Sequence, residues 1–73
     1  MSSATNLYVY YSAEAGSLFG KRVVGTVKRH WCHGRVSGHC VVEIKDHESV
    51  EAARAWAERV KGYYEMRRTE QFA

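Results

Sequence analysis

The sequence predicts an α+β fold in which a three-stranded antiparallel sheet packs against one C-terminal helix. Three segments alternate between apolar and polar residues, which is the period of a β-strand. One longer segment near the C-terminus repeats its apolar residues with the period of an amphipathic helix. The 73 residues include no proline, so none of these segments is interrupted by one. The order strand, strand, strand, helix follows.

The first strand is predicted over residues 6–12 and a loop over residues 13–20. Successive side chains of a strand point to opposite faces. Leu7, Val9 and Tyr11 would therefore share one face, and Tyr8 and Tyr10 the other. The following segment contains two glycines, which are typical of turns and loops.

The second and third strands are predicted over residues 21–31 and 39–45, with a turn over residues 34–38. In the second strand, Val23, Gly25, Val27 and Trp31 would face the core, while Arg22, Val24, Thr26, Lys28 and His30 would face outward. In the third strand, the inward side chains would be Cys40, Val42 and Ile44, and the outward ones Val41, Glu43 and Lys45. The short connection favours an antiparallel hairpin.

The helix is predicted to begin after Ser49, whose hydroxyl can accept a hydrogen bond from a backbone N–H of the first turn. Its apolar face comprises Val50, Ala53, Ala57, Val60 and Tyr64, with Trp56 and Tyr63 beside it. The helix ends either at Gly62 or one turn later, after Tyr64. Residues 66–73 lose the helical period. We therefore expect a single compact domain of residues 1–65 and a mobile tail of residues 66–73.

The size of the chain argues against an enzyme. A domain this small buries only about 60% of the surface that its unfolded chain exposes, so a deep catalytic cleft is not expected. No signal peptide, transmembrane helix or membrane partner is expected either, because no apolar run has the length of a membrane span. Two cysteines are too few for a disulfide framework, and in the cytosol they would stay reduced.

The histidines and cysteines between residues 30 and 40 do not predict a metal site or a nucleophile. Zinc needs four converging ligands, but neighbouring residues of a strand, such as His39 and Cys40, point to opposite faces. His30 and Cys32, with one residue of that pair, would supply three. A nucleophilic Cys32 would need an oriented base and an oxyanion site, which a hairpin tip does not offer. We expect no catalytic residue, metal or cofactor.

The outward face of the first two strands is the best candidate for a binding surface. It would bring Tyr8 and Tyr10 close to Arg22 and Lys28, and stacking rings beside cations can bind nucleic acid. The same residues can also be ordinary solvated charges with tyrosines that cover a sheet edge. Both interpretations stay open, because tight DNA binders make about 6–10 phosphate contacts and fewer cations are present here. Tyr8, Tyr10, Arg22 and Lys28 are candidate partner-binding residues.

The predicted tail offers a second candidate surface. Met66, Arg67 and Arg68 combine an adaptable apolar side chain with two cations. Methionine and arginine are enriched at the cores of protein interfaces, and a mobile segment can become ordered on contact. The net charge of +3 is unevenly distributed, with a basic segment over residues 15–42 that contains no acid. Such a distribution suits attraction to an acidic partner.

The whole chain resembles the small transcription regulators that Xanthomonas phages make to capture the RNA polymerase of their host. The likeness lies in the length, the opening Met-Ser-Ser-Ala-Thr-Asn-Leu-Tyr-Val-Tyr-Tyr, the helical segment Ser-Val-Glu-Ala-Ala-Arg-Ala-Trp and the charged tail. The resemblance implies an inhibitor that binds the β′ subunit near its N-terminus and also the β subunit. It implies displacement of the σ factor, blocked initiation and read-through of terminators, in the cytoplasm of the infected host.

The resemblance assigns no functional residue. Together with the residue patterns, it predicts a non-enzymatic regulator that binds RNA polymerase, acts as a monomer and carries no cofactor. The alternative is a small nucleic-acid-binding protein that uses the face of its sheet.

Overall fold

The computed structural model describes residues 7–18 and 22–72, with side chains for residues 7–17 and 22–67. Its elements are the strands β1 (Leu7–Leu18), β2 (Arg22–His33) and β3 (Val36–His47), followed by the helix α1 (Val50–Phe72). The three strands form one antiparallel sheet with β2 in the centre. Helix α1 packs on one face of this sheet, mainly over β1 and β2. The predicted fold class is confirmed.

Strand β1 is longer than predicted, because the expected loop continues as a strand to Leu18. Ala13 and Ala15 lie opposite Val27 and Gly25 of β2, so the pairing is unbroken. Alanine and glycine have low intrinsic β propensity, but pairing with a neighbouring strand and burial outweigh that preference. Residues 19 and 20 of the predicted loop lie outside the described residues.

The hairpin between β2 and β3 is tighter than predicted. Its turn consists of residues 34 and 35 alone, and the strands reach His33 on one side and Val36 on the other. Gly34 adopts a φ of 67°, a left-handed conformation that glycine reaches without steric cost. A two-residue turn of this kind fixes the register of the hairpin.

The faces of β3 differ from the prediction because of a β-bulge. Val27 pairs with Glu43 but Lys28 pairs with Val41, so Val42 is an extra residue in the ladder. An extra residue reverses the alternation of side chains beyond it. The prediction that Ile44 faces the core and Glu43 faces solvent is therefore wrong. Glu43 lies on the side of the helix, and Ile44 is 54% exposed on the opposite side.

The reversal affects only the residues of β3 after the bulge. Cys40 keeps its predicted side, because it lies opposite Arg29 on the side of the helix. Cys40 is exposed instead of buried, and Val42 is half-buried. Lys45 is exposed as predicted, although its register opposite Gly25 puts it on the helix side. Val41 lies on the outward face as predicted.

Helix α1 begins as predicted and ends later. Ser49 Oγ accepts a hydrogen bond from the N–H of Ala52 at 3.1 Å, which confirms the predicted N-cap. The helix continues past both Gly62 and Tyr64 to Phe72. The expected loss of helical structure after residue 65 is therefore wrong for residues 66–72. The division into a compact domain and a mobile tail stays a prediction. Within the described residues, no helix is long and apolar enough to cross a bilayer.

Small residues allow the helix to approach the sheet closely. Ala53 and Ala57 of α1 and Val27 of β2 are fully buried. A Cβ atom placed on Gly25 would lie 2.7 Å from the carbonyl oxygen of Ala53 and 2.8 Å from the ring of Trp56. Gly25 therefore leaves the space in which the first turns of the helix cross β2.

Tyr64 fastens the helix to the edge strand β3. Its hydroxyl donates a hydrogen bond of 2.8 Å to Oε2 of Glu43, and its ring stacks on Tyr11 of β1 at 5.4 Å between centroids. The hydrogen bond to Glu43 is the main cause that raises the pKa of Tyr64 above 10.0, with burial and the negative charge of Glu43 adding to it. One side chain thus connects α1 to both edge strands.

We expect Tyr64→Phe to lower the free energy of unfolding at pH 7 by about 1–2 kcal/mol, because it removes the hydrogen bond and keeps the ring stack. The raised pKa belongs to the folded state. The stability that this hydrogen bond contributes is therefore fully present below pH 10, and it is lost as the pH rises through the folded-state pKa of Tyr64. Urea unfolding of both proteins at pH 7 and above pH 10 measures this. Equal stabilities at pH 7 would contradict the role given to Tyr64.

Candidate functional site

The side of the sheet that faces away from α1, called here the open face, contains the best candidate site. Gly25 faces the helix, so its neighbours Val24 and Thr26 point to the other side. The register then places Tyr10, Ser12 and Glu14 of β1 on that same side, because they lie opposite His30, Lys28 and Thr26. No element of the described chain covers this face, since the helix packs on the other one.

Four aromatic rings cross the open face and form what we call the ring row: Tyr8, Tyr10, His30 and His39. The rings of Tyr10 and His30 are stacked, with centroids 4.6 Å apart and planes 6° apart. Tyr8 lies 5.6 Å from Tyr10 at one end, and His39 lies 5.5 Å from His30 at the other. The row therefore runs from β1 across β2 to β3.

A hydrogen bond fixes the centre of the ring row. Ser12 Oγ and His30 Nε2 are 2.8 Å apart, which holds the imidazole parallel to Tyr10. The outer tyrosines remain accessible, with Tyr8 60% and Tyr10 40% exposed. Ordered rings with free surface suit a contact with another molecule, because little side-chain entropy is lost on binding.

Among the described residues, the ionised side chains of the open face are paired with one another. Arg22 contacts Asp46 at 2.6 Å. Lys28 contacts Glu14 at 3.3 Å. These two cations and two anions sum to zero charge. The predicted cationic face is therefore electrically balanced, and its uncharged rings are its main chemical feature.

Exposed aliphatic side chains extend the open face beside the ring row. Val41 is 51% exposed and Ile44 is 54% exposed, and the register puts both on the same side as Lys28 and Thr26. Contiguous exposed apolar surface is a mark of an interaction site.

A second exposed surface, called here the helix stripe, lies on α1. It consists of Arg59, Tyr63, Met66 and Arg67, whose spacing places them on one side of the helix. Tyr63 is 57% and Met66 65% exposed. The guanidinium of Arg67 lies 5.6 Å from the centre of the Tyr63 ring and donates to its hydroxyl at 3.3 Å. In the described part of the chain, no carboxylate pairs with Arg59 or Arg67.

The cysteines and histidines do not form a metal centre in the described residues. Cys32 lies opposite Tyr8 and Ser37, whereas Cys40 lies opposite Arg29, so the two thiols belong to different faces of the sheet. Both cysteines are free. No three histidine, cysteine, aspartate or glutamate side chains within the described ranges are arranged to hold a metal ion.

The structure places four predicted partner-binding residues on one face of the sheet, but it does not bring Arg22 close to the tyrosines. Arg22 pairs with Leu18, at the opposite end of the β1–β2 ladder from Tyr8 and Tyr10. Tyr8, Tyr10, Arg22 and Lys28 share the open face, as the alternation predicted. Met66 and Arg67 lie on the helix stripe. The side chain of Arg68 lies outside the described residues.

Sequence reasoning missed several members of both surfaces: Glu14, Asp46, His39, Val41, Ile44 and Tyr63. The pairing register places Glu14 and Asp46 beside the predicted cations. A longer first strand in the prediction would have indicated Glu14. Tyr63 was predicted beside the apolar face of the helix, and its exposure follows from the position of the helix over β1 and β2.

Comparisons of the chain with protein-family models, with curated proteins and with solved structures gave no match.

Proposed function

We propose that this protein is a phage-encoded regulator that binds bacterial RNA polymerase through the open face and the helix stripe. In this proposal it contacts the β′ and β subunits, displaces the σ factor and blocks initiation, with read-through of terminators as a related activity. It acts as a monomer in the cytoplasm of the infected host. The resemblance of the sequence supplies the identity of the partner, and the surfaces support a protein as the partner.

The observation that carries the proposal is the balance of charge on the open face. Arg22 and Lys28 are both engaged by carboxylates of the same face. On this surface the attraction of Arg22 and Lys28 for phosphates is offset by the repulsion of Asp46 and Glu14, so electrostatics contributes little net affinity for a nucleic acid. A protein surface has no such uniform negative charge and can bury the ring row with Val41 and Ile44.

The second surface supports contact with two subunits. The helix stripe lies on α1, which covers the side of the sheet opposite the open face. The molecule is thin, with principal extents of 52, 25 and 13 Å. A thin body with a binding surface on each side can sit between two subunits. Joining two weak contacts in one molecule can raise the overall affinity by about 10²–10⁴-fold.

The proposal is tested by the affinity of the protein for core RNA polymerase and for duplex DNA in a salt series. We expect tight binding to polymerase, competition with the σ factor and weak binding to DNA. A sheet-face DNA binder that makes about 6–10 phosphate contacts would lose about 10³–10⁵-fold in affinity between 50 and 200 mM salt. We expect the affinity for polymerase to fall by less than about tenfold over that range, because surface ion pairs contribute little.

The double variant Arg22→Ala/Lys28→Ala separates the two functions within this experiment. The nucleic-acid alternative requires a large loss of DNA affinity and a shallower salt dependence in this variant. If the protein binds polymerase as we propose, the affinity of this double variant for polymerase stays within about threefold of the wild type, since exposed ion pairs contribute about 0–1 kcal/mol. Tight, steeply salt-dependent DNA binding by the wild type, without polymerase binding, would overturn the proposal.

A further inference from the structure

A notch interrupts the open face farther along β1 than the ring row, beyond Ser12. It has a volume of about 170 Å³ and is lined by Glu14, Ala15, Gly16, Ser17, Val24 and Thr26. A water molecule in the liquid occupies about 30 Å³, so the notch has room for one side chain of a partner. It opens to solvent, which allows entry from the direction in which the open face would dock.

Gly16 accounts for the notch. It lies opposite Val24 in the register, and a Cβ atom placed on it would meet no other atom within 4 Å. A residue with a side chain at this position would fill the space. Val24 forms an apolar floor and is only 5% exposed. The glycine is required neither by a positive φ nor by a close neighbour.

The wall of the notch offers oxygen atoms that can accept hydrogen bonds, from a carboxylate and a hydroxyl group. Glu14 contacts Lys28 through Oε1 at 3.3 Å, and its side chain is 55% exposed. A carboxylate has about four lone-pair sites on its two oxygens, so one ammonium group leaves acceptor capacity on Glu14. Thr26 lies opposite Glu14 and adds a hydroxyl group.

We infer that the notch receives a basic side chain, lysine or arginine, of the protein that docks on the open face. Its aliphatic stem packs on Val24, and its cationic end binds Glu14 and Thr26. Long basic side chains combine an apolar stem with a charged head, which is the combination that this lining complements. The inference rests on the proposed function for the larger partner, and the notch itself is testable without that partner.

The test fills the notch by Gly16→Val, which the open space around Gly16 and the high β propensity of valine allow. Affinity for core RNA polymerase is measured for the wild type, Gly16→Val and Glu14→Gln. The control is Leu7→Ala, which changes an exposed side chain on the helix side of the sheet, outside both proposed surfaces. We expect a loss of at least about tenfold for both notch variants, as for a buried interface anchor, and an unchanged affinity for the control.

A small probe tests the notch separately. N-acetyl-arginine amide is titrated into the protein while NMR follows the backbone amides. We expect shifts at Gly16, Ser17 and Thr26 in the wild type and none in Gly16→Val.

Each outcome has a defined meaning. Wild-type affinity of a folded Gly16→Val variant overturns the inference. A loss in Gly16→Val with wild-type affinity in Glu14→Gln identifies an uncharged occupant and overturns the assignment of a basic one. If the wild type does not bind polymerase, the proposed function fails, and the arginine probe alone decides the notch. Shifts at its residues then uphold the inference, and their absence overturns it.

Discussion

Gly25→Ala should lower the free energy of unfolding by about 3 kcal/mol or more. The total for a domain this small is about 5 kcal/mol, so this loss is a large part of it. The added Cβ atom would lie 2.7 Å from the carbonyl oxygen of Ala53 and 2.8 Å from the Trp56 ring. A backbone carbonyl cannot rotate away as a side chain can. The helix must therefore move off β2, which opens the fully buried contact around Val27 and Ala57.

Gly16→Ala is the matched control for this variant. Both glycines lie in paired strands, one residue apart in the register, and both receive the same methyl group. At Gly16 the methyl group meets nothing within 4 Å. We expect the stability to change by less than about 1 kcal/mol, in the stabilising direction, because alanine reduces the entropy of the unfolded chain. Urea unfolding measures both variants. Equal stabilities would contradict the close approach of helix and sheet at Gly25.

The sequence predicted the elements of the fold well where the pattern was local. Alternation in the first two strands, the cap at Ser49 and the helical spacing of Ala53 and Ala57 depend on neighbouring residues, and the structure bears them out. The ends of the elements depend on distant residues. Strand β1 extends to Leu18 because β2 pairs with it, although the segment itself has the composition of a loop.

The bulge at Val42 shows why the faces of β3 were not predictable. Cys40, Val41 and Val42 are three consecutive apolar residues, which interrupts the alternation but does not show that an extra residue lies there or which residue it is. The bulge becomes visible only in the pairing of Val27 with Glu43 and Lys28 with Val41. Its consequence for the site is direct. It turns Ile44 to the open face and delivers Glu43 to the hydroxyl of Tyr64.

The sequence alone predicts where the tyrosines of the candidate site lie, but it does not predict the net charge of the site. Alternation alone places Tyr8 and Tyr10 on one face. The partners of Arg22 and Lys28 are Asp46 and Glu14, and these lie 24 and 14 residues away in the chain. A composition that suggests a basic surface therefore produces a neutral one. This difference counts against the nucleic-acid alternative and agrees with the proposed protein partner.

The double variant Tyr8→Ala/Tyr10→Ala should have the largest effect on function. Both tyrosines are exposed and do not contact the helix, since they lie on the open face. Their loss leaves the buried core of Val27, Ala53 and Ala57 intact. Tyrosines at the centre of an interface each contribute about 2 kcal/mol or more, so we expect the affinity for core RNA polymerase to fall by about 100-fold or more. The midpoint of unfolding should change little.

Leu7→Ala is the control on the same strand. Leu7 is 56% exposed, close to the value for Tyr8, but it points to the helix side of the sheet. Its truncation removes a comparable exposed apolar group from the other face. We expect the affinity of this variant to stay within about threefold of the wild type, as for a residue outside the interface.

The most direct measurement is therefore the equilibrium affinity of the wild type, Tyr8→Ala/Tyr10→Ala and Leu7→Ala for core RNA polymerase, with folding of each verified by circular dichroism. Docking through the open face requires strong binding by the wild type and Leu7→Ala and a loss of about 100-fold in the double variant. A folded double variant that binds as tightly as the wild type would contradict docking through this face.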